Sequence, residues 1–150
     1  MKDIFIRSLI AGCLGGLIYQ MFVWVFYLFD LAKITPFQIG AYMLVKPGSD
    51  FTMIFNQLLG SVQHFSNSIL IAFVIAAIAE RIGLDHFILK GTALGGILYF
   101  IIYGVVGRYI IPVSLLQPDL VTSTIFLAGN LLYGLTVVSV LATLNKKMIT

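Results

Sequence analysis

Charge is what this chain lacks most. Only 10% of its 150 residues are Asp, Glu, Lys or Arg, against about 25% in an average soluble domain. Hydrophobic residues make up 60%, and mean hydropathy is +1.05. So few charges cannot build a water-facing surface, so most of the exterior must face lipid. Cysteine is nearly absent as well. The one thiol, Cys13, forms no internal disulfide and cannot by itself make a metal site. Acid is missing where it would matter most. No Asp or Glu lies inside the long apolar stretches, Glu80 standing at the limit of the second, which argues against a proton-coupled carrier and leaves the one histidine inside them, His64, without a carboxylate to orient it. The basic excess is small, nine Lys and Arg against six acids, and it is scattered. No basic patch for nucleic acid results.

The few charges divide the chain into four apolar spans of about 8–29, 51–80, 90–111 and 120–145. The first, at 22 residues, reaches about 33 Å as a helix, enough for a hydrocarbon core of roughly 30 Å. Strands with open edges cannot satisfy their backbone groups in lipid, so all four spans are predicted to be helices of a single all-α integral membrane domain covering 1–150. The first span reads as an uncleaved anchor. It is longer than a secretory signal's apolar region, and Phe29, Asp30 and Leu31 stand where a small-residue cleavage site would follow. With both termini cytoplasmic, the inside receives six basic residues (Lys2, Arg7, Arg81, Lys90, Lys146, Lys147) and the outside three (Lys33, Lys46, Arg108). The basic-inside bias favours that orientation.

One phrase is spelled twice. Leu14 to Gln20 reads LGGLIYQ and Leu94 to Phe100 reads LGGILYF. A fainter echo lays His64–Arg81 on Asn130–Lys147. Together they predict a tandem pair of two-helix hairpins in one four-helix bundle, related by an axis along the membrane normal. Gly12 with Gly16, and Gly91 with Gly95, make small-xxx-small pairs suited to close helix packing. The expectation is that the two hairpins dock on each other through these glycine faces.

The linker after the first span holds Thr35-Pro36-Phe37-Gln38. Thr as N-cap, Pro at the first helical position and Gln at the third predict a short amphipathic helix in the first external loop, ended by Lys46-Pro47-Gly48. It would lie either on the outer membrane surface or as a cap folded over the bundle.

The second span is the most polar. Asn56, Gly60, Gln63 and Asn67 share one face, and Gln57, Ser61, His64 and Ser68 the adjoining one. Polar faces in a membrane turn toward protein or water. A midplane cluster of Gln20, Gln63, His64, Asn67, Tyr99 and Asn130 is therefore predicted, with His64 hydrogen-bonded through Ser68 or Asn67. Amides in bundle cores ordinarily serve as interhelical glue. The parts for catalysis are few, and no cofactor or metal set is present in the sequence. The reading is a non-enzymatic structural or interaction component, with the lipid bilayer and a homo-oligomeric or membrane-protein contact as partners. The alternative is a small solute, ion or lipid pathway or binding protein using the polar face of the second span.

The Gly-Gly opening of the first span, the aromatic run Phe22–Phe29 leading to Asp30, and Ile34-Thr35-Pro36 form a series of landmarks. Leu58-Leu59-Gly60, Tyr99 to Pro112, and Leu131-Leu132-Tyr133-Gly134-Leu135 continue it over most of the chain. This layout resembles the YqhR-type conserved membrane proteins of spore-forming Firmicutes. The resemblance implies a bacterial cell-membrane protein with a sporulation or envelope role, and carries no catalytic residues.

Overall fold

The computed structural model describes residues 3–45, 49–50, 53–110 and 118–146. The expected helix stop at Lys46-Pro47-Gly48, the span limits at Phe51 and Ile111, Pro112, and the topology charges Lys2 and Lys147 lie outside them. The described chain forms α1 (Ile4–Leu28), α2 (Pro36–Leu44), α3 (Ile54–Ile82), α4 (Phe87–Tyr99) with a π-helical continuation over Phe100–Ile110, and α5 (Leu120–Lys146). Four of these are long and apolar enough to cross a membrane, the third being Phe87–Val106. The fold is an all-α, four-helix membrane bundle, as the apolar spans predict.

Local chemistry sets the helix ends. Asp3 caps α1, accepting from the N–H groups of Phe5 (3.0 Å) and Ile6 (3.4 Å). Asp119 does the same for α5, taking the Val121 and Thr122 N–H groups and the Thr122 hydroxyl. These donors, the Thr122 hydroxyl foremost, hold the Asp119 carboxyl below its usual range. At the far end of α3, Lys90 Nζ donates to the Ile82 and Gly83 carbonyls and to Asp85 Oδ1. A cation is thus placed on the negative end of the helix, and its hydrogen bond holds the Asp85 carboxyl low.

The helices stand in the packing order α3, α1, α5, α4, with α2 laid on α3. Central α1 buries both flanks. Ala11 and Val23 have no exposed surface, and they meet a core built from Ala72 and Ile75 of α3 and Phe126, Val137 and Leu141 of α5. No comparable seam joins α3 to α4. At one end of the bundle Arg7 ties three helices together. Its guanidinium donates to Glu80 Oε1 of α3 at 2.7 Å and to the Asn145 side-chain oxygen of α5.

The glycine faces work differently from the expectation. They zip each hairpin internally and do not dock one hairpin on the other. A methyl on Gly12 would lie 2.6 Å from Ile69 Cα and 2.8 Å from the Ser68 carbonyl of α3, and one on Gly16 would meet the Ser68 hydroxyl at 2.7 Å. A methyl on Gly91 would stand 2.8 Å from the Gly134 carbonyl of α5, and one on Gly95 3.0 Å from Leu131 Cα. The physical reason is the order of helices: α1 and α4 never become neighbours, so their bare backbones approach α3 and α5 respectively. Gly15 shows why the phrase doubles its glycine in α1. It faces the opposite way from Gly16, onto Val137 and Tyr133 of α5.

The third span also departs from a uniform α-helix. Beyond Tyr99 the chain widens into a π-helix, a form that is uncommon beyond a single turn and recurs at functional sites. Tyr103 on this segment reaches Phe126 (ring centroids 5.3 Å apart) and the Tyr19 hydroxyl (3.2 Å).

Candidate functional site

The linker helix positions the site. Thr35 and Gln38 form a reciprocal capping box. The Gln38 N–H donates to Thr35 Oγ1 (3.3 Å), and the Thr35 N–H donates to Gln38 Oε1 (2.8 Å). α2 is a cap packed on α3 and not a surface helix. Pro36, Gln38, Ile39, Gly40 and Ala41 are buried, and Gly40 and Gly60 let the two backbones touch. A methyl on Gly40 would lie 3.2 Å from Gly60 Cα, and one on Gly60 2.9 Å from the Ala41 nitrogen. The contact places Phe37 against the His64 ring, centroids 5.4 Å apart. Since His64 stands ten residues into α3, α2 covers it at about 15 Å along that helix.

Beneath α2 and between α3 and the π-helical segment lies a cavity of about 270 Å³. Its polar wall carries Gln63, His64, Asn67 and Ser68 of α3, with Asn130 and Tyr133 of α5 behind. Its apolar wall is Ile39 and Met43 of α2, Leu70 and Ile71 of α3, and Ile102 and Val106 of the π-helix. Because α3 and α4 share no seam, the cavity opens on the flank of the bundle between them.

Four of the six predicted cluster residues meet here: Gln63, His64, Asn67 and Asn130. His64 is buried, and its Nε2 stands 3.0 Å from the Gly16 carbonyl, not on Ser68 or Asn67. Those two are engaged elsewhere. Ser68 presses its hydroxyl toward Gly16, and Asn67 Oδ1 accepts from Gln63 Nε2 at 3.3 Å. Asn130 is buried and donates to the Phe126 carbonyl of its own helix at 2.8 Å. Gln63 is half-buried and Asn67 exposed, so their linked amides are the polar groups most available to a guest.

The other two predicted residues lie apart. Tyr99 packs its ring against Tyr103 (5.2 Å) and edge-to-face with Phe100 (5.6 Å) and does not line the cavity. Gln20 points to the far side of α2, into a second cleft shared with Trp24, Tyr27 and Gln38. α2 partitions the two spaces, and no periodicity in the sequence shows where a linker helix will fold. The prediction also missed Tyr19, whose hydroxyl pairs with Tyr103, and left Tyr133, which donates to the Ser68 carbonyl at 2.5 Å, out of the cluster. These phenols pin α1 to the π-helix and α5 to α3, so they frame the cavity. Their positions inside otherwise apolar spans are the signal that could have found them, since a buried tyrosine hydroxyl needs a partner.

Among the described residues no group of three His, Cys, Asp or Glu side chains gathers as a metal site. Comparison with protein-family models, with curated proteins and with solved structures found no match to this chain.

Proposed function

We propose that this multi-pass protein is a non-enzymatic component of the bacterial cell membrane, with both termini cytoplasmic, that holds one small amphipathic molecule in its flank cavity. The observation that carries the reading is the cavity's two-sided lining. One wall is aliphatic and the other ends in the Gln63–Asn67 amide pair. Ligand sites are typically apolar with a few placed polar groups. At about 270 Å³ the space falls just under the roughly 300–1,000 Å³ of drug-sized sites. It therefore suits a single alkyl chain or a compact solute entering from the bilayer, and the flank opening gives such a guest a lateral route. A catalytic reading has less support. No carboxylate lines the cavity among the described residues, and His64 is committed to a backbone carbonyl.

The tandem-hairpin reading belongs to the same proposal. Gly12 meets Ser68 and Ile69 where Gly91 meets Gly134 and Leu135, and Gly16 reaches His64 where Gly95 reaches Asn130. The α3 and α5 partners differ by 66 positions in every case, the spacing of the fainter sequence echo. The α1 and α4 glycines differ by 79, one less than the repeated phrase implies.

The test is photolabelling with a diazirine-bearing alkyl amine or fatty acid in reconstituted membranes, read by mass spectrometry. Label should concentrate on Leu70, Ile71, Ile102 and Val106, and Ile102→Trp, which fills the space, should remove it. Label spread evenly over every apolar exterior face, or unchanged by the filled cavity, would reject the reading.

A further inference from the structure

The second cleft holds a buried polar atom that has no hydrogen-bond partner. It encloses about 460 Å³ between α1 and α2, with Gln20, Met21, Trp24 and Tyr27 on one side and Phe37 and Gln38 on the other. Gln20 is only 8% exposed, and its Oε1 has no hydrogen-bond partner. Buried amide oxygens are almost always paired, because a lone acceptor carries its full desolvation cost. The polar groups that share the cleft, Tyr27, Thr35, Gln38 and Gln57, leave that oxygen unpaired. Gln38 donates from its Nε2 to the Tyr27 hydroxyl and accepts the Thr35 N–H on its Oε1, while the Thr35 hydroxyl accepts the Gln38 N–H. Tyr27, having accepted, keeps its own O–H to donate.

We propose that this cleft is a binding site for a primary ammonium group carried on a phosphate ester, with Gln20 Oε1 as the ammonium's acceptor. Three features select that chemistry over a neutral hydroxyl. Trp24, Tyr27 and Phe37 line the cleft, and aromatic faces attract a cation, tryptophan most strongly. No Lys or Arg stands among the lining residues to repel it. The Tyr27 hydroxyl lies seven residues beyond Gln20, about 10 Å along α1, where it can donate to the phosphate of the same molecule. Trp24 and Tyr27 occupy the last turns of α1, the interfacial depth at which headgroups reside. The cleft is separated from the flank cavity by α2, so this proposal does not depend on the function proposed above.

Trp24 is the only tryptophan in the chain, so its fluorescence reports on the cleft directly. Purified protein is titrated with short-chain phosphatidylethanolamine, phosphatidylcholine and phosphatidylglycerol, and separately with soluble phosphoethanolamine. Phosphatidylethanolamine should shift Trp24 emission saturably. Phosphatidylcholine, whose nitrogen has no N–H, should bind about tenfold or more weakly, as loss of a charge-assisted hydrogen bond implies. Phosphatidylglycerol, which offers hydroxyls only, should be equally poor. Gln20→Met should erase the preference and Gln20→Glu should retain it. A response to soluble phosphoethanolamine alone assigns the site to a free amine, and a response to the lipid alone assigns it to the bilayer. Equal affinity for the three lipids, no response to any amine, or an undiminished preference in Gln20→Met overturns the proposal. The wild-type lipid comparison decides the matter even if the methionine variant fails to fold.

Discussion

Replacing Gly95 with alanine puts a methyl group where the α5 backbone already stands. The added carbon would lie 2.9 Å from the Asn130 carbonyl carbon, 3.0 Å from Leu131 Cα, and nearer still to the Asn130 oxygen. All three are backbone atoms of a packed helix, so none can rotate away. Relieving the carbonyl carbon alone, from 2.9 Å to the 3.4 Å of ordinary contact, requires about 0.5 Å of separation between α4 and α5. The oxygen demands more. A radial gap of about 0.5–1 Å forfeits a quarter to a half of the dispersion energy along a seam, and overpacking of this kind costs about 1–3 kcal/mol. α4 has no second extensive seam to fall back on, because among the described residues its main packing is on α5. The adjacent glycine is the matched control. A methyl on Gly96 would meet only the tip of the Leu131 side chain, at 3.3 Å, which can yield. Alanine gains about 0.8–1 kcal/mol of helix propensity over glycine at either position, so that gain cancels between the two variants. Unfolding driven by a denaturing detergent and followed by circular dichroism should find G95A less stable than G96A by about 1–3 kcal/mol. If both variants unfolded at the same detergent concentration, the Gly95 seam would not be what holds α4 in place.

Two other expectations test the cap and the helix ends. Gly60→Ala drives a methyl into the α2 backbone at Phe37 and Ala41, so it should lift α2 from α3. A cysteine at Ile39 in a Cys13→Ala background should then react with a water-soluble thiol reagent many times faster than it does without the glycine change, and equal rates would contradict the packed cap. The Asp119 carboxylate is held low by Thr122 and by the Val121 N–H. A depressed folded value means its contribution to α5 is complete above the unfolded value of about 3.9 and is lost as pH falls through the lower folded value. Acid titration of wild type against Asp119→Asn should therefore show their stabilities converging only below about pH 4. Convergence at neutral pH would remove Asp119 as the cap.

Much of the architecture was written in the charges. Arg7, Glu80, Lys90 and Asp119 stand at or just inside helix ends in the structure, because a charge in hydrocarbon is expensive and a span can tolerate it only near its limits. The α2 cap was equally legible, since Thr35, Pro36 and Gln38 need nothing beyond their own neighbours to form it. The glycine pairs announced close packing but not the partner. A bare backbone accepts any helix, and only the three-dimensional order decided that Gly12 meets α3 while Gly95 meets α5. Of the candidate site, four of the six predicted residues were legible. Gln63 and Asn67 share one face of α3 and His64 lies on the adjoining one, so a helical period gathers them. Gln20 and Tyr99 were assigned by depth alone, and depth does not reveal which side of α2 a residue occupies or where the π-helix turns it.

The place of the flank cavity follows from how the hairpins share α1. Under the proposed doubling, α1 corresponds to α4 and α3 to α5, so the α1–α5 seam would have a counterpart between α4 and α3. The first seam is filled, by Gly15 against Tyr133 and Val137 and by Phe126 packed on Tyr19. The second carries no comparable seam among the described residues, and the cavity occupies its position. Gly104, beyond the cavity lining, stands in open space. A methyl there would meet nothing within 4 Å, whereas one on Gly15 would meet Val137 at 2.8 Å. A symmetric bundle would have closed both seams and kept no polar chamber. The π-helical turn moves Tyr103 inward onto Phe126 and Tyr19 and gives α4 its hold at that level, so the opening beside α3 is braced by the phenols and does not depend on α3 and α4 meeting. A bundle braced in this way can hold a vacant seam next to lipid without collapsing it, which is the physical requirement for admitting a guest from the side.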